Sequence, residues 1–454
     1  MSPTPPLPTI ILKLHQPNLK SEIVIMSNSR KKFLRQISTG LILASLPSIA
    51  SATEKESKTT IDPTDFTGTG APDDEKFWKR IAKKYYDTPT DYINLENGYY
   101  GMQPKPVLQA FQKNIEKANK QGARFARKEY PAIATNVKKQ LAQFLNVADE
   151  EIIITRNATE ALNIAIQGYP FKPGDEVLLN QLDYFSMIET FQLLQKRGQL
   201  IVKAFDMPLL PATEEEIVEV YKQQLTPKTK VILLTHVSNI NGLIVPVAKI
   251  AAMARQRGID IICDAAHALG HIPFSLAGLG ADYVGLNLHK WIGNPVGAGV
   301  LYIKKEKIAT TKALFGDVAA ADADIRKLAH FGTTPFAVIM TIPDSIAFHQ
   351  MLGINKIAAR LHYLKNHWVQ ALLQQPGVEV VTPAAPQLSG AIAAFRITGS
   401  TAAQTADLLY TQHNIMTVGR TLGPQGCVRV TPSIFNSIDD CKKLVAAVKQ
   451  IVGS

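Results

Sequence analysis

Three short segments of the chain combine residue types that can do chemistry. Asp264 directly follows the apolar run 259–263, and the end of such a strand can hold a carboxylate rigidly. Lys290 comes 26 residues later, just after the run 283–286, and a lysine amine is a nucleophile when neutral. Asn-Ala-Thr-Glu at 157–160 opens a helix whose backbone N–H groups can bind a phosphate. Each is ordinary alone, as a cap, a turn or a surface side chain, but together they predict one site.

The elements that position these segments show a regular alternation. Between residues 151 and 305, short β-branched runs alternate with helical patterns, which is typical of a mostly parallel sheet covered by helices. The carboxyl ends of parallel strands meet at one edge of such a sheet, and ligands bind there. We therefore predict strands at 152–154, 177–179, 231–234, 259–263 and 283–286, and helices at 159–166, 186–197, 214–225 and 247–257.

The chain divides into segments of different composition. Beyond Pro335, long amphipathic helices (342–351 and 355–373) and short strands (near 391–397 and 428–431) predict a second, smaller α+β domain. We predict an α/β protein with five parts: an export signal (1–52), a flexible linker (53–74), an N-terminal segment bordering the active site (75–105), a large domain (106–335) and a small C-terminal domain (336–454).

Composition and charge exclude several classes of protein. A chain of 454 residues with 46% hydrophobic and 19% charged residues is globular and long enough for two cores. Outside residues 1–52 it carries 43 basic and 37 acidic residues, a net charge of +6 without a Lys/Arg run, so no nucleic-acid partner is predicted. Three cysteines without paired spacing predict neither a disulfide framework nor a Cys-based zinc site. His267 and His271 have a spacing that can bind zinc, but a third ligand is not evident, so no metal is predicted.

The first 52 residues have the composition of an export signal. If Met26 is the true start, residues 29–35 form a basic region, 37–49 a short apolar stretch, and Ala-Ser-Ala at 50–52 a cleavage site. The segment resembles a twin-arginine signal, although Arg30-Lys31 departs from the arginine pair and leaves the ordinary secretory route open. The stretch is too short to span a bilayer. We predict an exported protein without a stable membrane anchor, with a cytoplasmic location as the alternative.

The combined motifs resemble those of the class V aminotransferase family of enzymes, which depend on pyridoxal phosphate (PLP) and have the type I fold. Within it, the isopenicillin N epimerase-like and cysteine desulfurase-like branches are the most similar. The stretches that carry the resemblance spread over nearly the whole chain after the linker: 94–101, 157–163, 238–242, 264–267, 289–291 and 429–432.

The resemblance implies how the cofactor is held. Lys290 forms the aldimine with PLP, and Asp264 pairs with the protonated pyridine nitrogen, which makes the ring an electron sink. Tyr184 stacks on the ring, in a place where the family often has His, and His267 and Asn239 approach the phenolate side. Thr333 matches a residue that reaches the phosphate of a neighbouring subunit, which implies a homodimer. The residues implied to hold the phosphate are Ala158, Thr159, Asn287 and His289.

The same resemblance implies a substrate with a carboxylate. Arg429 is the candidate for the α-carboxylate of an amino acid or amino-acid derivative, because a guanidinium can donate two parallel hydrogen bonds. Asn97 lies on the N-terminal segment and is a second substrate-binding candidate. We predict a PLP-dependent enzyme rather than a silent ligand-binding protein, since a scaffold would not need Lys290, Asp264 and Arg429 together.

The reaction subtype stays open. Cys427 is two residues before Arg429 and Cys263 lies within a predicted strand, so neither suits a desulfurase that forms a cysteine persulfide on a mobile loop. Aminotransferase or epimerase-type chemistry is the first expectation. Cysteine-independent β-elimination by a C–S lyase is the alternative.

Overall fold

The computed structural model describes residues 61–68, 70–316 and 320–453. The predicted export signal and residues 53–60 of the predicted linker lie outside this part of the chain.

The strands form one large sheet, one smaller sheet and a two-stranded pair. They are β1 (Ile93–Asn94), β2 (Ile152–Thr155), β3 (Glu176–Asn180), β4 (Ile201–Phe205), β5 (Thr229–Thr235), β6 (Asp260–Asp264), β7 (Tyr283–Asn287), β8 (Gly299–Ile303), β9 (Val378–Val380), β10 (Ala393–Ile397), β11 (Ile415–Met416), β12 (Val418–Arg420) and β13 (Cys427–Val430). The large sheet has the order β2-β8-β7-β6-β5-β3-β4; β8 is antiparallel to both of its neighbours, β2 and β7, and all the other neighbouring strands are parallel. The predicted mostly parallel α/β architecture is confirmed.

Helices cover both faces of the large sheet and one face of the small sheet. In chain order they are α1 (Glu75–Tyr85), α2 (Lys105–Arg124), α3 (Tyr130–Leu145), α4 (Ala158–Gly168), α5 (Phe185–Lys196), α6 (Glu214–Gln224), α7 (Val247–Arg255), α8 (Leu276–Leu279), α9 (Lys305–Ile308), α10 (Phe336–Met340), α11 (Ile342–Leu352), α12 (Ile354–Leu372), α13 (Ala402–His413) and α14 (Ile438–Gly453). A π-helical turn, Phe125–Glu129, joins α2 to α3.

The core of the large domain follows from the apolar strands. In β3, Val177 and Leu179 pack with α4 and α5 on one face, whereas Leu178 packs on the opposite face with α3, α6 and α7. Strands β3, β7 and β8 are buried along their whole length, as strands covered on both faces must be. The edge strand β4 is more exposed. The sheet is therefore a rigid platform, and its carboxyl edge is the place where loops can carry function.

The small domain packs an antiparallel sheet, ordered β12-β13-β10-β9, against α12, α13 and α14. Phe395 and Trp368 meet edge to face in its core. Strand β1 pairs in parallel with β11, so the N-terminal segment is joined to the small domain by backbone hydrogen bonds. This pairing brings the chain after β1 into the space between the two domains.

Two predicted boundaries differ from the structure. Residues 63–66 form a 3-10 helix with Phe66 buried, and the Trp78 indole donates to the Ala71 carbonyl at 2.9 Å, so the packed chain begins before Glu75. A low apolar content concealed this segment, because one aromatic side chain is enough to dock it. Helices α10 and α11 pack on α2 and α3 and share the core of the large sheet, so the small domain begins with α12 rather than at residue 336.

Within the described residues, no single helix is long and apolar enough to cross a bilayer. The segments Phe336–Leu352 and Ile354–Leu372 pass such a test only together, as a pair bent by 72°.

Candidate active site

A cavity of about 980 Å³ opens at the carboxyl edge of the large sheet and reaches the small domain. It is lined by residues that follow β5, β6 and β7, by the start of α4, and by two arginines of the small sheet. The structure brings together eleven of the predicted site residues there: Ala158, Thr159, Tyr184, Asn239, Asp264, His267, Asn287, His289, Lys290, Thr333 and Arg429.

Lys290 is in hydrogen-bond contact with a histidine whose orientation is fixed. The Lys290 Nζ lies 2.9 Å from His267 Nε2, and the Trp291 indole N–H donates to His267 Nδ1 at 3.4 Å. Because an indole nitrogen only donates, Nδ1 is the acceptor and the proton of the neutral ring lies on Nε2. His267 therefore donates to the amine of Lys290, which must be neutral to accept.

The electrostatics of this pair agree with its hydrogen bonding. Burial lowers the pKa of Lys290 to about 7, although the Asp264 carboxylate opposes the shift. Burial and the neighbouring Lys290 charge also hold the pKa of His267 well below its ordinary value. His267 is consequently neutral near pH 7, and a substantial fraction of the Lys290 amine is deprotonated and nucleophilic there.

Asp264 ends β6 at the floor of the cavity. Its carboxylate is 4% exposed and accepts the Ala266 N–H at 2.9 Å, which fixes its position. Burial raises the pKa of Asp264, while the Ala266 hydrogen bond and the Lys290 charge oppose the rise. A cationic partner bound in the cavity would stabilise the ionised carboxylate.

The start of α4 is built as a polar cup. Asn157 caps the helix by accepting the Glu160 N–H at 2.8 Å, and the Thr159 side chain lines the cavity. The Ala158 N–H is already donated to Asn287 Oδ1 at 2.8 Å, so Ala158 and Asn287 hold each other and only the remaining groups are available to a phosphate. His289 Nδ1 bonds the Ala298 carbonyl at 3.0 Å, which leaves its Nε2 for a ligand.

A close backbone contact holds the lysine loop. The Gly101 N–H donates to the His289 carbonyl at 2.8 Å, and a Cβ atom at Gly101 would lie 1.9 Å from the Lys290 carbonyl oxygen. Only glycine fits there. The N-terminal segment therefore presses directly on the backbone of Lys290.

The small domain supplies an ionic cluster on the opposite side of the cavity. Arg429 is 1% exposed, donates through Nη1 to the Asn239 carbonyl at 2.9 Å, and forms an ion pair through Nη2 with Glu96. Arg420 Nη2 lies 3.6 Å from the same Glu96 oxygen. Burial lowers the pKa of Arg429 to about 10, and Glu96 opposes the shift. The predicted carboxylate-binding arginine thus already holds a carboxylate of its own chain.

Asn97 does not fit its predicted role. Its side chain is 2% exposed and does not line the cavity. The amide donates to the carbonyls of Asn94 and Thr431 and to the Asn436 side chain, at 3.0 to 3.3 Å. Asn97 fastens the N-terminal segment to the small domain, and its side-chain N–H donors are used within the chain rather than on a substrate.

The rim of the cavity is exposed and partly aromatic. Tyr184 directly precedes α5 and its backbone N–H donates to the Thr235 hydroxyl at 3.3 Å, while the Phe185 ring meets the Tyr184 ring edge to face and is 57% exposed. Tyr99, at 71% exposure, and Thr333 also lie on this rim. These side chains are accessible to a ligand or to a second copy of the chain.

Sequence reasoning missed Glu96, Arg420 and Trp291. Trp291 follows Lys290 directly, and a donor-only aromatic beside a reactive lysine is a usable signal. Glu96 stands within the recognised stretch 94–101, but nothing local shows that it meets Arg429.

His271, considered as a zinc ligand, uses both ring nitrogens, one on the His267 carbonyl (2.8 Å) and one on the Ala391 N–H (2.6 Å).

The fold and this site define a class of PLP-dependent enzymes. The family model of class V aminotransferases matches residues 100–444, and the chain belongs to this family. The family that the motifs predict is confirmed.

Two sequence relatives and one solved structure are similar to this chain. The isopenicillin N epimerase of Streptomyces clavuligerus is 26% identical over 83% of this chain and 98% of its own. A probable cysteine desulfurase of Streptomyces coelicolor is 27% identical over 67% of this chain and 77% of its own. The structure of a C-DES variant with glycine covalently linked to its PLP cofactor superposes with a TM-score of 0.71, at 21% identity, over 79% of this chain and 97% of that chain.

The cofactor of the family is PLP, as predicted, and the residues present fit it. The cavity offers a neutral lysine amine, a buried carboxylate and a helix start, which match an aldehyde, a pyridinium and a phosphate in turn. The Asn239 Oδ1 atom is buried and has no partner among the described residues, as expected for a group that contacts a ligand. Lys290, Asp264 and Thr159 with His289 would hold PLP at these three positions.

Proposed function

We propose that this enzyme moves a proton at the α-carbon of an amino acid or amino-acid derivative, in aminotransferase or epimerase-type chemistry. One observation carries the proposal: the Lys290 amine, whose pKa burial lowers to about 7, lies against His267, with Asp264 and Arg429 lining the same cavity. A neutral amine held in this way is suited to remove and return a proton.

Each residue has a separate task in this proposal. PLP, when bound, supplies the electron sink that stabilises negative charge at the α-carbon. Arg429 binds the substrate carboxylate and so fixes the orientation of the α-carbon. Lys290 takes or delivers the proton, and Nε2–H of His267 keeps its amine lone pair oriented. Asp264 stabilises a cation bound at the cavity floor, and that cation in turn favours the ionised carboxylate against the burial that raises its pKa.

A cysteine persulfide is not part of the proposal. Cys263, Cys427 and Cys441 are all the cysteines of the chain, and all are buried. Burial raises the pKa of Cys427 and of Cys441 to about 12, so their thiolates are not available near pH 7. A desulfurase of the thiol-dependent kind would lack its nucleophile here.

β-Elimination by a C–S lyase is the second candidate. It begins with the same removal of the α-proton and needs no thiol of the enzyme. The similarity to a probable cysteine desulfurase supports it at the level of the family. The two candidates differ in what leaves the β-carbon, so their products distinguish them.

Hydrogen exchange at the α-carbon tests the proposal. The PLP-loaded protein is incubated in D2O with a panel of L- and D-amino acids, including cysteine and cystine, and the α-proton signal is followed by NMR. We expect exchange with at least one amino acid, its loss in Lys290→Met, and its retention in Lys365→Met, a buried lysine outside the cavity. Formation of the other enantiomer or of a 2-oxo acid with amino transfer identifies the first candidate. Pyruvate with sulfide or persulfide identifies the second, and no exchange with bound PLP supports a silent binding protein.

We also propose that the protein forms a homodimer and that it is exported. Thr333, exposed on the rim, supports a neighbouring subunit at the cavity mouth; sedimentation at several concentrations tests this, and a monomer throughout contradicts it. The composition of residues 26–52 supports export. Cell fractionation with sequencing of the mature N-terminus tests it, and an intact Met1 or Met26 in the cytosol contradicts it.

A further inference from the structure

Glu96 stands between two arginines at the substrate side of the cavity. Its Oε1 atom accepts from Arg429 and lies 3.6 Å from Arg420 Nη2, and its Oε2 atom is 3.4 Å from the Thr431 hydroxyl. The side chain is 9% exposed, compared with 1% for Arg429 and 25% for Arg420. Arg420 is therefore the arginine of this cluster with more access to the cavity and to solvent.

The backbone fixes all three groups. In the antiparallel pair of β12 and β13, Val418 lies opposite Arg429, so Arg420 stands diagonally to Arg429 on the same face of the sheet. Glu96 follows β1, its N–H is held by Asn94 Oδ1 at 3.0 Å, and its backbone bridges to Thr431. Small rotations of the Glu96 side chain are enough to transfer it from one guanidinium to the other.

Both arginines have unused donors. The Nε atoms of Arg420 and Arg429 are buried and have no hydrogen-bond partner among the described residues. A guanidinium binds a carboxylate best through two parallel N–H donors, and Glu96 engages Arg429 through Nη2 alone. Arg429 is thus held in an incomplete carboxylate complex.

We propose that Glu96 occupies the substrate-carboxylate position on Arg429 in the empty cavity, and that an incoming carboxylate displaces it onto Arg420. This inference rests on the proposed function for the identity of the carboxylate. Glu96 compensates a buried charge when no substrate is present. It also competes with the substrate, so it sets the affinity for carboxylates. Arg420 is then the positioning residue that receives Glu96.

A double-mutant cycle with a simple carboxylate tests this displacement. The dissociation constant of propionate for the full-length, PLP-loaded protein is measured by ligand-observed NMR, with uncharged propanamide as the reference ligand. We expect Glu96→Gln to bind propionate about tenfold more tightly, because the competing charge is gone, with propanamide unchanged. Arg420→Met should bind propionate about fivefold more weakly, because displaced Glu96 has no acceptor. In the Glu96→Gln background, Arg420→Met should have no further effect.

Glu75→Gln is the matched control. Glu75 pairs with the fully buried Arg360 away from the cavity, so its loss should lower the unfolding midpoint and leave propionate binding unchanged. If Glu96→Gln does not fold, Glu96→Asp replaces it, since the shorter side chain keeps the charge but withdraws from Arg429. Unchanged or weaker propionate binding in the folded Glu96 variant overturns the proposal. So does an Arg420 effect that persists without Glu96, which would mean direct contact with the ligand.

Propionate has no amino group, so its binding does not depend on chemistry at Lys290. If α-hydrogen exchange is absent while propionate binding follows the expected pattern in the variants, only the proposed reaction is contradicted. If α-hydrogen exchange is normal but propionate binding does not follow the expected pattern, only the proposed displacement of Glu96 is contradicted.

Discussion

Two arginine–glutamate pairs, each with a buried arginine, have nearly the same contacts and different surroundings. The first, the cavity pair, is Arg429 with Glu96; the second, the packing pair, is Arg360 with Glu75. Each arginine is at most 1% exposed, donates to a carboxylate and to backbone carbonyl groups, and has an Nε atom without a partner among the described residues. Hydrogen bonding alone would not separate them.

The surroundings separate them. Arg360 lies near the rings of Trp78 and Tyr363, with its guanidinium carbon 5.6 and 5.9 Å from their centroids, and joins α12 to the N-terminal segment. Arg429 borders a cavity of about 980 Å³, and a second arginine shares its carboxylate. A buried ion pair therefore indicates function only when a space for a ligand and an alternative partner accompany it.

Replacing the two arginines gives the largest expected contrast. Arg429→Met should lower kcat/KM by about a thousandfold, because two charge-assisted hydrogen bonds to the substrate are lost. Arg360→Met should leave KM unchanged and lower the free energy of unfolding by about 3 kcal/mol. Steady-state kinetics and urea unfolding of both variants measure this. Similar kinetic losses in the two variants would remove the distinction between the pairs.

A glycine substitution beside the cavity gives a second contrast, one that depends on backbone geometry rather than on charge. Gly101→Ala should lower kcat by about a hundredfold, because the added Cβ forces the Lys290 backbone to shift. Gly316 has open space around its Cβ position, so Gly316→Ala should retain full activity. Activity and PLP content of the two purified variants decide this. Full activity in Gly101→Ala would show that the close contact is not required.

Trp291→Phe tests the orientation of His267. Without the indole N–H, His267 Nδ1 loses its donor and the ring can reverse its tautomer. We expect kcat to fall about tenfold with KM nearly unchanged, since the carboxylate site of the cavity pair is not touched. The pH profile of kcat should also shift. A change in KM alone would contradict a role through His267.

The smallest expected effect concerns two buried lysines, one in the cavity and one in packing. The folded pKa of Lys290 is about 7 and that of Lys365 about 8, both below the unfolded value of 10.5. At pH values between the folded pKa and 10.5, the unfolded chain binds more protons than the folded chain, so the free energy of unfolding rises with pH. This gain in stability is lost as the pH falls towards the folded pKa of 7 or 8. Urea unfolding of PLP-free protein at pH 8.5 and 9.5 should show a gain about 1 kcal/mol smaller in Lys290→Met and in Lys365→Met. An undiminished gain in Lys290→Met would contradict its depressed pKa.

The large domain was predictable because its strands are covered on both faces. Such strands have a continuous apolar centre, as in β6, where Ile261, Ile262 and Cys263 precede the terminal Asp264, so a polar residue at the end of the run stands out. Strand β4 was not predicted, since it lies at an exposed edge and contains Lys203. Strand β8 was not predicted either, and its antiparallel course returns the chain beside β2.

Site residues at the ends of strands and helices could be predicted from the sequence. Residues whose role depends on contacts between distant parts of the chain were harder to predict. Asp264 and Thr159 lie at the ends of regular elements and Lys290 shortly after one, so their positions could be deduced. Asn97 was predicted by its nearness along the chain, which does not reveal where a side chain makes its hydrogen bonds. The Glu96–Arg429 contact joins residues 333 positions apart, and only the folded chain brings them together.

The visible absorption spectrum of the purified protein and of Lys290→Ala, each supplied with PLP and then with L- and D-amino acids, tests the central claim most directly. Before amino acids are added, we expect a band of lysine-linked PLP in the parent protein and only the spectrum of unlinked PLP in Lys290→Ala; one class of amino acid then shifts the band of the parent protein. The absence of a band in both proteins, or the same band in both, would contradict the assignment of Lys290.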